Sequence, residues 1–270
     1  MKHILSILTC CLVGITTFSQ SYAEHIKKGD DFITAQNYTE AVNSYSAAIA
    51  LDSATSEAFF KRGQAYFYLT KDSLAIVNYD KALTIDPKNP QIYFMRGQSR
   101  TYLGDPNGAQ TDYGKAIELD SNYVAAYIKR GYVFLELGQI MPAYVMFTMA
   151  INKNPNQTAD VYFARGYCLQ QQFAWQQAIE DYNKAVSLNP NYPDAYLNAG
   201  NCYRILKQYD KALEQHNKAL ELKSNNATVY YARGFVYLDM GEKDKACADW
   251  KKAVELGDKY AQAYVDQNCK

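Results

Sequence analysis

The sequence predicts an all-α protein built by stacking helical hairpins, and three residue series predict it. Gly29, Gly63, Gly97, Gly131, Gly166, Gly200 and Gly234 recur every 34 residues, with one step of 35 between Gly131 and Gly166. Ala41, Ala75, Ala109, Ala143, Ala178, Ala212 and Ala246 keep the same beat twelve residues later. Ala48, Ala82, Ala116, Ala150, Ala185, Ala219 and Ala253 follow after seven more. A period of this length marks a repeat array in which each unit is one supersecondary element.

The unit from Ser56 to Asn89 gives the reading of all of them. Phe59, Arg62, Gly63 and Tyr66 fall at helical spacing, and Thr70-Lys71-Asp72 is a polar break. Ala75, Tyr79 and Ala82 form a second helical stripe, which Asp86-Pro87 ends because proline cannot continue a helix. The small residues are expected where the two backbones approach closely, with Phe59, Tyr66 and Tyr79 filling the volume around them. One hairpin cannot bury both of its faces, so stability comes from stacking on neighbours. The units run over about 22–55, 56–89, 90–123, 124–158, 159–192, 193–226 and 227–260. Residues 261–270 begin another first helix that caps the last hairpin.

The N-terminus sets the expected compartment. Lys2 precedes an apolar stretch from Ile4 to Thr17, and Ser21-Tyr22-Ala23 has the small residues of a cleavage site. Residues 1–23 are therefore expected to be a signal peptide removed near Ala23, leaving an exported chain, periplasmic or secreted. The stretch is shorter than the ~20 residues of a membrane-spanning helix. A lipidated cysteine at Cys10 or Cys11 is disfavoured, because Thr9 and Cys10 are poor preceding residues and too little apolar sequence comes before them. The mature chain is not expected to insert in a membrane. Lys+Arg and Asp+Glu both number 28, which removes the electrostatic case for nucleic acid.

The repeat resembles the tetratricopeptide repeat (TPR) family, whose signature is an aromatic, leucine-glycine and tyrosine, then alanine, an aromatic and proline. Here the first helices carry Tyr93, Arg96 and Gly97; Tyr127, Arg130, Gly131 and Phe134; Tyr162, Arg165 and Gly166; Tyr196, Gly200 and Tyr203; Tyr230, Arg233, Gly234 and Tyr237. The second-helix aromatic is Tyr45, Tyr79, Tyr113, Phe147, Tyr182 or Trp250, with His216 the exception. Closing prolines are Pro87, Pro155 and Pro190. The resemblance covers essentially the whole mature chain. It implies a right-handed solenoid of about seven hairpins with a C-terminal capping helix, and a non-catalytic scaffold for protein–protein interaction.

Arginine replaces the family's usual leucine at positions 62, 96, 130, 165 and 233. Such a row could bind anions or pair inside each hairpin. Asp112, Asp181 and Asp249 follow Arg96, Arg165 and Arg233 by sixteen residues, while the unit with Ala199 has Gln215 there, which favours internal pairing. No nucleophile–base set, metal-ligand spacing or phosphate loop is visible, so no catalytic residues, metal or cofactor are expected. His216 occupies a core slot rather than a ligand position. Cys168 and Cys202 hold equivalent places on neighbouring first helices, ~8–10 Å apart, beyond the ~7 Å reach of a disulfide. Cys247 and Cys269 fall on helices expected to pack antiparallel, so a Cys247–Cys269 bridge is expected, with four free thiols the alternative.

In the family the first helices line a concave groove. The resemblance places Phe60, Phe94, Ile128, Phe163, Leu197 and Tyr231 on one row of it, shared with the core between repeats. Gln64, Gln98, Tyr132, Tyr167, Asn201 and Phe235 form a second row, with Phe67, Tyr68, Tyr102, Leu135, Gln171, Arg204 and Leu238 further along. Aromatics in the second row fit a groove for an extended or helical peptide segment. The carboxylate clamp of chaperone-docking members is matched only at Asn201, and Leu197 stands where its lysine belongs. The expected partner is a protein or peptide segment in a bacterial envelope assembly. The alternative is an accessory protein that holds cell-wall glycan or peptide and assists its processing.

Overall fold

The structure, a computed structural model, describes residues 20–269, and these are all-helical. The leader expected at the N-terminus lies outside the described residues, apart from 20–23. The architecture is a solenoid of helical hairpins followed by a final helix. It divides into two compact units, one ending at Leu137 and one beginning at Gly138.

The first unit holds α1 (20–34), α2 (Tyr38–Leu51), α3 (Ser56–Tyr68), α4 (Asp72–Ile85), α5 (Pro90–Tyr102), α6 (Pro106–Leu119) and α7 (Val124–Glu136). Within it α3 pairs with α4 and α5 with α6, while α2 packs on α3, α4 on α5 and α6 on α7. The second unit holds α8 (Ile140–Lys153), α9 (Ala159–Gln171), α10 (Trp175–Leu188), α11 (Pro193–Ile205), α12 (Tyr209–Leu222), α13 (Ala227–Asp239), α14 (Lys243–Glu255) and α15 (Ala261–Asn268). There α9–α10, α11–α12 and α13–α14 are the hairpins, α8 packs on α9, and α15 packs on α14.

The alanine series form the tight seams, and all fourteen members are fully buried. The glycines do a different job from the one expected. Gly29, Gly63, Gly97, Gly166, Gly200 and Gly234 make room for a ring rather than chiefly for a backbone. A Cβ on Gly63 would stand 2.5 Å from the Tyr79 ring, and one on Gly97 2.9 Å from the Tyr113 ring. Gly166 faces Tyr182, Gly200 faces His216 and Gly234 faces Trp250 in the same way. The ring is always sixteen residues on, so glycine and aromatic are two halves of one packing device.

The turn inside each hairpin is also uniform. A residue with positive φ follows the first helix at Gln36, Thr70, Gly104, Gly138, Phe173, Lys207 and Gly241. Around it the backbone makes the paired closing bonds of a Schellman motif: Thr70 N–H donates to Phe67 C=O at 2.9 Å, and Lys71 N–H to Tyr66 C=O at 2.9 Å. Second helices end differently. The side chains of Asp52, Asp120, Asn154 and Asn189 each accept the backbone N–H two residues on, and the chain then turns back. Pro90 and Pro193 open the next first helices, and Pro106 opens the second helix α6, all at a position where a missing N–H costs nothing.

The last hairpin is closed by α15, whose Tyr264 and Val265 pack over Trp250, Ala253 and Ala261. Cys247 and Cys269 are joined, with Cα atoms 5.5 Å apart, which ties α15 to α14.

Candidate partner-binding surface

The arginines on the first helices are fixed before any partner is considered. Arg96 donates from Nε and Nη2 to Asp112 at 2.9 and 2.6 Å, Arg165 to Asp181 at 2.7 and 2.7 Å, and Arg233 to Asp249 at 2.7 and 2.7 Å. The third nitrogen reaches back to the preceding hairpin. Arg96 Nη1 donates to Asp80 at 2.6 Å, Arg62 Nη1 to Ser46 at 3.1 Å and Arg233 Nη1 to Asn217 at 2.6 Å. The forked guanidinium therefore bonds three helices at once. Burial opposes the charge of Arg96, and the Asp112 and Asp80 carboxylates outweigh it, holding the guanidinium above its usual range. Arg62, bonded to Asn78 instead of a carboxylate, is pulled down by burial, and so is Arg130. These contacts consume Arg62, Arg96, Arg165 and Arg233, and among the described residues Arg130 bonds only to Gln110 at 3.3 Å, so the row is not a free anion ladder.

The first expected row is anchored in the core. Phe60 lies 6.0 Å from the ring of Tyr79, Phe94 5.7 Å from Tyr113, and Phe163 5.5 Å from Tyr182. Phe94 and Phe163 also pack on Tyr123 and Tyr192, the residues that precede the next first helix. Leu197 is buried, and Ile128 is half-buried. These side chains form the floor of the surface, with little area to offer a partner.

The second row divides by residue. In the first unit Gln64 and Gln98 are half-buried, and Tyr132 is 36% exposed. In the second unit Tyr167 is 38% exposed, whereas Asn201 is turned inward, with its Oδ1 3.3 Å from His216 Nε2. Phe235 is enclosed by Tyr231, Trp250 and Tyr264, with the Arg204 guanidinium 5.3 Å from its ring centre. Arg204 is itself paired with Asp239 at 2.9 Å. The structure thus brings Arg204, Tyr231 and Phe235 together at one end and covers part of them with α15.

Phe67, Tyr68 and Tyr102, expected further along the first helices, form a continuous aromatic strip that Tyr38 extends. In the first unit Tyr38 stacks on Tyr68 at 5.1 Å, Tyr68 meets Phe67 at 5.8 Å, and Phe67 meets Tyr102 at 5.6 Å. The strip crosses three hairpins at the level of their turns, and Tyr68 and Tyr102 are exposed. Tyr68 and Tyr102 keep the 34-residue beat, whereas Tyr38 lies thirty residues before Tyr68, on a second helix, so register alone does not bring it to the strip.

Titratable groups inside the stack are silent ones. Burial pushes the His216 imidazole down to about 4, so it is neutral at pH 7, and the thiols of Cys168 and Cys202 up to about 12. Both cysteines are unbonded and buried. Among the described residues no three His, Cys, Asp or Glu side chains gather where they could hold a metal ion.

Sequence profiles of the TPR repeat match residues 29–69, 97–138 and 200–241, and profiles of the tetratricopeptide repeat match 56–89, 159–192, 181–214 and 227–260. The chain is a tetratricopeptide repeat protein. Proteins of this family are non-catalytic scaffolds that bind peptides or proteins, and this TPR chain is one of them. No curated protein sequence matches it. Among solved structures, YrrB is described as a TPR protein with an unusual peptide-binding site. It is 24% identical over 70% of this chain and 97% of its own, with a TM-score of 0.64. MamA is 28% identical, covering 62% of this chain and 96% of its own, with a TM-score of 0.57. The C-terminal part of a TPR repeat-containing protein from Cytophaga hutchinsonii is 20% identical over 88% and 98%, with a TM-score of 0.70. The likeness to YrrB and to the Cytophaga protein is one of fold. No helix of this TPR chain, among the described residues, is long and apolar enough to cross a membrane.

Proposed function

We propose that this TPR protein is an exported scaffold that holds a polypeptide segment of an envelope assembly against its first helices. The observation that carries this reading is the fate of the second row. Its neighbours in the first row are spent on the core, while Tyr132 and Tyr167 keep more than a third of their surface open. Large tyrosines with rigid rings and a polar tip are the side chains that anchor peptide segments. The description of YrrB as a peptide-binding TPR protein is in keeping with this use of the fold.

Export is supported by the apolar leader and by the Cys247–Cys269 bond, since disulfides persist in oxidising compartments. Cleavage near Ala23 has a structural consequence. Tyr22, whose hydroxyl accepts from Thr55 Oγ1 at 2.9 Å, leaves with the leader, and α1 of the mature chain starts at Glu24. N-terminal sequencing of the protein recovered from the periplasm or medium checks this. A chain that retains Met1 contradicts it.

The binding reading is tested by capture from an envelope extract with the intact protein and with Tyr132→Ala and Tyr167→Ala, singly and together. A protein partner lost in the double variant is the expected result. Retention of glycan without a protein partner would instead favour the cell-wall alternative.

A further inference from the structure

The second hairpin breaks a pattern that the first, third and fifth keep, the other three having no tyrosine in this slot. The core tyrosine of the second helix normally bonds through its hydroxyl to a polar residue on the first helix. Tyr45 donates to Asp30 at 2.7 Å, Tyr113 pairs with Thr101 at 3.2 Å, and Tyr182 donates to Gln170 at 2.6 Å. In the second hairpin the residue equivalent to Thr101 and Gln170 is Phe67, and the hydroxyl of the fully buried Tyr79 has no partner. Asp72, at the start of the same helix, also has a buried carboxylate oxygen without a partner. Buried polar atoms are almost always satisfied, so two on one short helix ask for an explanation.

Of the two, Asp72 opens onto a cleft, while the Tyr79 hydroxyl is buried and is not part of its lining. The cleft, of about 490 Å³, is lined by Phe67, Tyr68, Thr70, Asp72 and Tyr102. The walls are aromatic faces, which carry negative charge density. The polar atoms on offer are the Asp72 carboxylate and the Thr70 hydroxyl oxygen, whose own hydrogen goes to Leu69 C=O at 2.7 Å, so both are able to accept. An anion is repelled by such a site, and an uncharged apolar group leaves the oxygens unsatisfied. A cation with N–H donors meets both demands. The neighbouring ammonium of Lys71 is exposed and makes no bond to Asp72 among those of the described residues.

The structure assigns this cleft, on the reading that the scaffold holds a polypeptide, to a basic side chain of the bound segment, lysine or arginine, seated between Tyr68 and Tyr102 with its charge toward Asp72. Tyr38, stacked on Tyr68, fixes one wall.

The test is a titration of the full mature chain followed by tyrosine ring resonances. The probes are the acetyl, N-methylamide derivatives of lysine and arginine, with norleucine as the uncharged control of similar shape and choline as a non-peptide cation. Saturable shifts at Tyr68 and Tyr102 with lysine or arginine, at least tenfold weaker with norleucine, are expected. Asp72→Asn should weaken the lysine probe about tenfold, and Tyr102→Ala, at a residue 70% exposed and outside the core, should abolish its binding with the melting curve unchanged. Norleucine binding as well as lysine, choline binding where the amino-acid probes do not, or an Asp72→Asn variant that binds like the parent would each overturn the assignment. The segment-binding reading fails separately, by capture of a partner that ignores Tyr132 and Tyr167.

Discussion

At the residue scale, the central device is a glycine facing a ring. Gly63→Ala should gain about 1 kcal/mol of helix propensity and lose more, because the new Cβ would sit 2.5 Å from a Tyr79 ring that is fully buried and cannot step aside. The expected net effect is a loss of about 1–2 kcal/mol in urea melts, from overpacking; a more stable variant would show that the ring is free to move. His216 is the same slot filled by a titratable group. Its imidazole has a pKa near 6.5 unfolded and about 4 folded, lowered mainly by burial and further by Arg233 and Arg204. The unfolded chain therefore binds more protons between those values. Stability is full above pH 6.5 and falls as the pH drops toward 4, by up to about 3 kcal/mol. His216→Phe, the residue type that fills this slot as Phe147, should leave stability at pH 7 within about 1 kcal/mol and remove most of that acid loss. Melts at pH 4.5 and 7 read it directly.

At the element scale, hairpins were legible in the sequence and their fastenings were not. Small residues and aromatics at constant register are set by helix contact, so Ala75, Tyr79 and Ala82 announce themselves. The left-handed turn does not, because Gln36, Thr70, Phe173 and Lys207 share no residue type with Gly104, Gly138 and Gly241. The backbone demands the conformation and tolerates several side chains at a cost. Gly104→Ala isolates that cost, since a Cβ there would meet nothing within 4 Å at φ +72°. About 1 kcal/mol should be lost; an unchanged melt would mean that the turn relaxes. The back-bonds from arginine to the preceding hairpin were hidden for a similar reason, as their acceptors are Ser46, Asp80 and Asn217. The site was less legible than the fold. Register identifies which face a residue lies on, but not whether Phe94 or Phe163 is taken up by Tyr123 or Tyr192 in the connecting segment.

At the scale of the whole molecule, a repeat array unfolds by parts, and its ends are weakest. The Cys247–Cys269 bond closes a span of 22 residues over most of α14 and all of α15. Chain entropy assigns such a closure about 3 kcal/mol. Cys247→Ser with Cys269→Ser should therefore raise amide exchange in α14 and α15 first, with little change in the α9–α10 hairpin. Uniform exchange across the second unit would contradict a local role.

The central claim is that the open tyrosines of the first helices meet a partner segment. It is tested most directly by a photo-crosslinking amino acid placed at Tyr132 or Tyr167 in the exported protein, with Tyr260, 72% exposed on a connecting segment, as the control. The account predicts one defined crosslinked partner from each of positions 132 and 167 and none from 260. Crosslinks from 260 as strong as those from 132 and 167, or none from any position while the partner is still captured, would contradict it.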